Sequence, residues 1–300
     1  MTAIKHHCLL SGLPTPRLPG LPRVAPVGRM PPGRMIELPE RGRTYVVDSG
    51  PASDAPTFIM LHSVACTGLM TWYPSLEMMR EFGRVVVFDQ RWHGHGIYRS
   101  GFSLESCADD VTALADALGI DTFVPVGYSM GSLVAQLVWH RHQERVDGLV
   151  LCASAATFAR GRYEQVGLRL FAGTVEALSP RPGLPTSPPT VIRDRVRHDR
   201  EWVFDQFRST SPAAITGAVA ECAKFDSRPW VSQIDVPTAL VITLRDWLIR
   251  KDRQFRLAKR IPNARVVTAD SGHASCTLQP DKFVPALRQA VSEVRSTVDK

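Results

Sequence analysis

Two kinds of hydrophobic pattern alternate along most of this chain of 300 residues. Short apolar runs that end in turn residues are typical of buried strands, and they lie at 42–50, 55–63, 84–90, 122–129, 147–154, 237–246 and 264–270. Segments with apolar residues at helical spacing lie at 69–83, 103–120 and 130–146, and begin again near Asp252 and near Gln279. The pattern therefore predicts strands and helices in alternation.

The predicted strands are continuous apolar runs rather than alternations of apolar and polar residues. Such runs, each separated from the next by a helix, are typical of a parallel sheet that is covered on both faces. The clearest helix is 103–120, where Val111, Leu114 and Leu118 form one apolar stripe. We therefore predict an α/β fold with a mostly parallel central sheet and helices on both faces.

The alternation stops near Thr157 and resumes at about residue 230. The interruption contains helical patches and the proline-rich stretch SPRPGLPTSPP. We predict a core formed by 34–156 and 230–300, with 157–229 inserted as a helical cap, or lid, over one end of the sheet. Residues 1–33 contain seven prolines, and we expect them to form a disordered, basic N-terminal extension.

The formal net charge of +7 belongs largely to that extension. Five basic residues precede the first acidic one, Glu37, and subtracting them from +7 leaves +2; they are Lys5, Arg17, Arg23, Arg29 and Arg34. Basic and aromatic residues do not interleave along a stripe, so we expect no nucleic-acid partner. No apolar stretch approaches the roughly 18–20 residues that cross a bilayer, so we expect no membrane span.

The six cysteines are scattered without a C-x-x-C pair. This distribution is typical of reduced thiols in a cytoplasmic protein. His6–His7 and the pair His93 and His95 lack a cysteine or acidic partner at ligand spacing, so we expect no metal, and no other cofactor is indicated. Thirty arginines against six lysines indicate a bacterial, GC-rich genome. The oligomeric state stays open.

One serine lies between two glycines where a predicted strand passes into a predicted helix. Gly127-Tyr128-Ser129-Met130-Gly131 fits G-x-S-x-G, and this context predicts a sharp turn that holds the serine in a strained conformation. The turn would expose the Ser129 hydroxyl at the carboxyl end of the sheet, above the first turn of a helix that favours a developing oxyanion.

Serine at its ordinary pKa is a poor nucleophile, so a base must take its proton, and histidine suits that role near neutral pH. His273 follows a predicted strand and falls at the same edge as Ser129; His62, His93 and His95 share that edge but are better explained as hydrogen-bonded loop residues. A carboxylate must then orient the imidazole. Asp246 ends a strand and is favoured over Asp252, which begins a helix.

A second rival acid, Asp270, is too near His273 in the sequence to reach behind it comfortably.

Together with G-x-S-x-G, the stretches FIMLHSVACTG, VVVFDQRWHGHGIYRS, LRDWLIRKDRQ and ADSGHASC make residues 35–298 resemble the α/β-hydrolase family. That resemblance implies a catalytic triad in the order Ser129, Asp246, His273.

The resemblance also implies an oxyanion hole formed by the backbone N–H groups of Met130 and Val64. The chain departs from the family pattern at Ser63 and Trp92, where relatives usually have glycine. If the glycine position requires a positive φ, Ser63 would resist it and the donor would be misaimed.

These observations lead us to expect a serine hydrolase that cleaves a small-molecule carboxylic ester or related acyl substrate through an acyl-enzyme on Ser129. Apolar residues of the insertion are candidates for an acyl pocket, or for ordinary packing within the cap: Phe158, Leu168, Leu170, Phe171, Trp202, Val203 and Phe207. The same triad would also serve a carbon–carbon bond hydrolase or a cofactor-free perhydrolase. A ligand-binding protein with a hydrolase-like pocket and little turnover is the alternative of another class.

Overall fold

The computed structural model of the chain describes residues 24–28, 30–51, 55–99, 101–157, 166–167, 170 and 199–298. Its centre is a sheet of eight strands: β1 (Arg34–Leu38), β2 (Gly42–Asp48), β3 (Thr57–Leu61), β4 (Arg84–Phe88), β5 (Val124–Tyr128), β6 (Leu149–Cys152), β7 (Thr238–Thr243) and β8 (Arg265–Ala269). Their order across the sheet is β1-β2-β4-β3-β5-β6-β7-β8.

Strands β3 to β8 pair in parallel, whereas β1 pairs with β2, and β2 with β4, in antiparallel fashion. The sheet is therefore mostly parallel, as predicted. The edge strand β1 was not among the predicted strands, because three of its five residues are exposed and it lacks a continuous apolar run.

Nine α-helices are named among the described residues: α1 (Gly68–Trp72), α2 (Leu76–Arg80), α3 (Leu104–Ala117), α4 (Met130–Arg141), α5 (Asp199–Arg208), α6 (Pro212–Lys224), α7 (Lys251–Ala258), α8 (Ser275–Leu278) and α9 (Pro280–Val298). The single helix predicted over 69–83 is wrong. The chain there forms α1, a 3-10 turn at Tyr73–Ser75 and α2. Pro74 explains the break, because proline has no N–H for the helical hydrogen bond.

The two faces of the sheet carry separate hydrophobic clusters. Along β3, Ile59 and Leu61 belong to the cluster with α3, α4 and α7, while Phe58 and Met60 belong to the cluster with α1, α2 and α9. Successive side chains of a strand point to opposite faces, so a run of apolar residues is buried on both. The predicted helices on both faces are confirmed.

The predicted extension and cap fall partly outside the described residues. Residues 1–23 lie outside them, so disorder there stays a prediction, but Val27 and Met30 are buried and the Val27 N–H donates to Asp199 Oδ1 at 2.9 Å. Residues 158–165, 168–169 and 171–198 of the predicted cap also lie outside. Its two ends meet, because Thr157 forms a β-bridge with Asp226.

The described part of the cap contacts loops at the carboxyl edge of the sheet through α5 and the turn that follows it. Thr67 Oγ1 lies 2.7 Å from Gln206 Oε1, and the Gly94 N–H donates to Thr210 Oγ1 at 3.1 Å. Neither α5 nor any other described helix combines the length and the apolar composition that crossing a membrane requires.

Candidate active site

Ser129 occupies a backbone conformation that side chains rarely adopt. It lies between the last residue of β5 and the first of α4, with φ of 54° and ψ of −116°. A Cβ atom at Gly127 would collide with the backbone of Gly131, and one at Gly131 with the carbonyl oxygen of Leu61. The Ser132 hydroxyl braces the turn by donating to the Ser129 carbonyl oxygen at 2.6 Å. The strained turn predicted from G-x-S-x-G is present, and both glycines are required by close backbone approach.

His273 lies on the loop after β8, 144 residues beyond Ser129, and its Nε2 is 2.9 Å from Ser129 Oγ. Tyr128 holds this loop in place. Its hydroxyl donates to the His273 carbonyl oxygen at 2.6 Å and lies 3.1 Å from Ser275 Oγ. The imidazole is therefore within proton-transfer reach of the serine hydroxyl.

Asp246 completes the chain of contacts from the other side of the ring. Its Oδ2 lies 2.7 Å from His273 Nδ1 and accepts from Thr243 Oγ1 at 2.9 Å. The other oxygen, Oδ1, accepts the backbone N–H groups of Leu248 and Ile249 at 2.9 and 2.8 Å. Four donors hold this carboxylate in place behind the imidazole.

The rival acids have other partners. Asp252 forms ion pairs with Arg250 and Arg256, and Asp270 pairs with Arg245 at 2.6 Å. The Asp252 side chain is 43% exposed and the Asp270 side chain 56%. The structure thus brings Asp246, and neither rival, to His273.

The Ser129–His273–Asp246 cluster is largely shielded from solvent. The Ser129 residue is 5% exposed, the His273 side chain 16% and the Asp246 side chain 0%. Hydrogen bonds in such surroundings are electrostatically stronger than in water. The arrangement can accept the proton of Ser129 on His273 Nε2 while Asp246 stabilises the resulting imidazolium.

Of the two predicted oxyanion donors, Met130 belongs to the start of α4 and Val64 to the loop after β3. Met130 is the first residue of α4, where an N–H has no partner within the helix. The contact of Gly131 with the Leu61 and His62 carbonyl groups brings this end of α4 beside the loop that carries Val64. Val64 is the second residue of a turn closed by the Cys66 N–H and the Ser63 carbonyl oxygen at 3.3 Å.

The two departures from the family pattern have different outcomes. Ser63 does not adopt a positive φ, but Ala65 does, at 64°. Trp92 also adopts one, at 62°, and its ring packs against Phe102 with centroids 5.6 Å apart. The backbone strain that would arise from a positive φ at Ser63 is therefore absent there and is found at Ala65 and Trp92 instead.

Two of the other histidines at this edge, His62 and His93, make hydrogen bonds to the backbone, whereas the His95 ring lies 4.0 Å from Asp89 Oδ2. His62 Nε2 accepts the Gln90 N–H at 2.8 Å, and Nδ1 lies 2.8 Å from the Ser63 carbonyl oxygen. His93 Nδ1 lies 2.9 Å from the Arg91 carbonyl oxygen. Burial lowers the pKa of His62 well below its usual value and that of His93 to about 4. Both rings are neutral supports of the loops around the site.

The candidate acyl-pocket residues divide into three groups. Phe158, Leu168 and Phe171 lie outside the described residues. Leu170 and Phe207 are exposed, whereas Trp202 is buried against Tyr73 with ring centroids 5.3 Å apart. Val203 packs at the edge of the same hydrophobic cluster. Trp202 and Val203 therefore contribute to packing of the cap on the core.

Sequence reasoning missed two residues that support the site, Tyr128 and Thr243. Tyr128 lies inside the pentapeptide, but its partner is 145 residues away, and no sequence pattern connects the two. Thr243, three residues before Asp246, carries a hydroxyl at the end of a buried strand, which is a weak signal. Across the described part of the chain, no group of three or more His, Cys, Asp or Glu residues is arranged to hold a metal ion.

Residues 56–280 match the family model described as alpha/beta hydrolase fold. The match covers three quarters of the chain, and the chain therefore belongs to the alpha/beta hydrolase fold family. The predicted resemblance is confirmed at the level of the family.

The relatives that match most of the chain include hydrolases by name. A protein of Agrobacterium fabrum that carries the provisional name carbamate hydrolase RutD is 26% identical over 79% of this chain and 93% of its own length. The 3-oxoadipate enol-lactonase 1 of Acinetobacter baylyi is 23% identical over 85% of this chain and 96% of its length.

Solved structures share the fold. An enol-lactonase from Burkholderia xenovorans has a TM-score of 0.70 and 23% identity, covering 86% of this chain and 100% of its own. A hydrolase from Pseudomonas aeruginosa has a TM-score of 0.70 and 21% identity, covering 86% and 98%.

Proposed function

We propose that this protein is a serine hydrolase that cleaves a carboxylic ester or a related acyl compound through an acyl-enzyme on Ser129. The observation that carries the proposal is the pair of hydrogen-bond contacts that link Ser129 Oγ to His273 Nε2 at 2.9 Å and His273 Nδ1 to Asp246 Oδ2 at 2.7 Å. The hydrolase names of the relatives support the same class of reaction.

In the first half of the proposed reaction, Ser129 Oγ attacks the substrate carbonyl carbon while His273 Nε2 takes the hydroxyl proton. Asp246 keeps Nδ1 protonated and stabilises the imidazolium. The tetrahedral intermediate collapses when the C–O bond to the alcohol breaks and His273 gives its proton to the leaving oxygen. In the second half, water attacks the acyl-enzyme by the same route and releases the acid and free Ser129.

The proposed oxyanion donors are the N–H groups of Met130 and Val64. The Met130 N–H is supported by its place at the start of α4, where helix N–H groups are unpaired and the dipole favours negative charge. The Val64 N–H is supported by the close approach of α4 to the end of β3 at Gly131. Two such donors would stabilise the charge that develops on the substrate oxygen.

The substrate class we favour is a small carboxylic ester, including a cyclic ester, because a relative covering most of the chain is an enol-lactonase by name. A carbamate is the second candidate, since several relatives are named as carbamate hydrolases. The cap at 157–229 is proposed to select the acyl group, which is consistent with the contacts of Gln206 and Thr210 to the core loops. The cytoplasmic location stays a prediction.

A fluorophosphonate probe tests the serine mechanism, because it reacts covalently with an activated serine hydroxyl. We expect rapid labelling of the full chain and none of Ser129→Ala. Ser292→Ala is the control, since the exposed Ser292 hydroxyl donates to the Arg288 carbonyl oxygen within α9 and takes no part in the turn. A folded protein that resists the probe would instead favour a ligand-binding protein with little turnover.

Product analysis separates the reactions that share the triad. We expect acid and alcohol from p-nitrophenyl acetate and ring-opened acid from a simple lactone. Release of carbon–carbon cleavage products from a dienoate, or peracid formed from acetate and hydrogen peroxide, without ester cleavage would favour the alternative chemistries.

A further inference from the structure

The loop between β3 and α1, residues 62–67, carries Val64, whose N–H is one of the two proposed oxyanion donors. The loop contains backbone strain at Ala65, whose φ is 64°, and a turn that the Cys66 N–H closes on the Ser63 carbonyl oxygen at 3.3 Å. A strained segment keeps its conformation only where surrounding contacts hold it. The position of the Val64 N–H therefore depends on the contacts that hold the two ends of this β3–α1 loop.

The end of the loop next to β3 is held by the core. The Gln90 backbone N–H donates to His62 Nε2 at 2.8 Å, and Gln90 Nε2 donates to the His62 carbonyl oxygen at 2.8 Å. Both residues are buried, and Gln90 follows β4, the strand that pairs with β3. This end is therefore fixed by two neighbouring strands of the sheet.

The other end of the loop is held by the cap. Thr67 is 2% exposed and is the N-cap residue of α1, where its Oγ1 accepts the Met70 N–H at 3.1 Å. The same hydroxyl donates to Gln206 Oε1, 2.7 Å away on α5. A hydroxyl has a single proton, so the bond to Gln206 leaves the lone pairs of Thr67 for the helix N–H. Gln206 thus fixes both the position of Thr67 and the orientation of the hydroxyl that caps α1.

Gln206 reaches Thr67 from a helix that packs along α1. Trp202 and Gln206 are four residues apart and lie on the same face of α5. Trp202 is 5% exposed and packs edge-on against Tyr73, with ring centroids 5.3 Å apart, and Tyr73 directly follows α1. α5 therefore has Trp202 at the carboxyl end of α1 and Gln206 at its amino end, beside the β3–α1 loop.

We propose that Gln206 is a positioning residue: through Thr67 it fixes the far end of the β3–α1 loop, so that the cap aligns the Val64 N–H with the substrate oxygen. The inference rests on the proposed function, because an oxyanion donor matters only where charge develops on that oxygen. Such a donor acts mainly in the transition state, so its misalignment lowers kcat and changes KM little. Gln206 has this effect without touching the substrate.

Gln206→Leu removes the acceptor and should lower kcat for p-nitrophenyl acetate by about fivefold with little change in KM, as expected for the loss of one hydrogen bond. Asp199→Leu is the matched control. It removes a hydrogen bond at the other end of the same helix, to the Val27 N–H in the segment before β1, and should leave kcat unchanged. Amide hydrogen exchange in residues 62–67 should become faster in Gln206→Leu and not in Asp199→Leu.

Thr67 tests the bond from its other side. Thr67→Ser keeps the hydroxyl and should retain most of kcat, whereas Thr67→Val loses both hydrogen bonds and should lower kcat by about fivefold or more. The double variant Thr67→Val/Gln206→Leu should be no slower than Thr67→Val, because the bond between the two residues is already absent.

Three results in an active protein would overturn this inference and leave the proposed function standing. They are an unchanged kcat in Gln206→Leu, equal losses in Gln206→Leu and Asp199→Leu, and additive losses in the double variant. Equal losses would mean that Gln206 acts only through the docking of α5. An unchanged protein that neither cleaves the ester nor reacts with a fluorophosphonate probe would overturn the proposed function, and this inference with it.

Discussion

The hydroxyl of Tyr128 donates a 2.6 Å hydrogen bond to the backbone carbonyl oxygen of His273. Tyr128 directly precedes Ser129, so the residue beside the proposed nucleophile holds the residue that carries the proposed base. The Tyr128 ring is fixed in turn by edge-on contacts with Phe283 and Trp72, at centroid distances of 5.2 and 6.2 Å. Tyr128 thus links the two loops that must stay aligned for proton transfer.

Tyr128→Phe should lower kcat by about fivefold with little change in KM, because it removes one hydrogen bond worth roughly 1 kcal/mol that holds His273 in position. The phenylalanine ring should keep the packing of the buried Tyr128 ring, because the two rings have the same shape. The measurement is steady-state ester hydrolysis, together with the rate of fluorophosphonate labelling.

Tyr73→Phe is the matched control for that change, since the Tyr73 hydroxyl donates to the Ala25 carbonyl oxygen at 3.0 Å. It should cost similar stability and leave kcat unchanged. Equal loss of kcat in both variants would show that Tyr128 acts only through stability.

Gly131→Ala should disrupt the site and the fold together. Its Cβ atom would collide with the Leu61 carbonyl group, so β3 and α4 must separate. We expect a loss of about 2 kcal/mol or more in the free energy of unfolding and about a hundredfold in kcat. Urea unfolding and ester hydrolysis measure the two effects.

The control is Gly101→Ala, where a Cβ would meet nothing within 4 Å; it should change neither stability nor activity. A Gly131→Ala variant of unchanged activity would contradict the account of the turn.

Trp92 combines backbone strain with packing. Its φ is 62°, and its ring lies against Gly217 of α6 and against Phe102. Both Trp92→Gly and Trp92→Ala should lose about 2 kcal/mol of packing. Glycine tolerates a positive φ, so Trp92→Gly should be the more stable of the two by about 1 kcal/mol.

Thermal or urea unfolding gives this difference directly. Ala117→Gly supplies the reference, because at an exposed position in a helix glycine should be less stable than alanine. The same order of stability at both positions would show that Trp92 is unstrained.

His93 should make the protein sensitive to mild acid. Burial lowers its pKa from 6.5 to about 4, so below pH 6.5 the unfolded chain binds a proton that the folded protein resists. Stability from this group is complete above pH 6.5 and is lost as the pH falls towards 4, by about 3 kcal/mol in total. His93→Gln should lessen the dependence of unfolding free energy on pH within that window, and the part that remains comes from His62, whose pKa burial also lowers. The two proteins should give parallel curves above pH 7, and a slope unaltered between pH 6.5 and 4 would rule out this role.

The local sequence determined much of the architecture. Buried strands such as Leu149–Cys152 and Thr238–Thr243 could be predicted because continuous apolar runs favour a sheet covered on both faces. The turn at Ser129 could be predicted because only small residues fit where a strand passes so abruptly into a helix. These features depend on residues that are close together in the chain, so the sequence pattern is enough to predict them.

Only the tertiary structure decided which distant groups meet. Asp246 was one of three candidate acids, and its four donors and contact with His273 follow from how β7 and β8 lie side by side. The bond from Tyr128 to His273 has no local signature. Such contacts depend on how separate elements pack, and side chains far apart in sequence carry no periodic pattern that reports their distance in space.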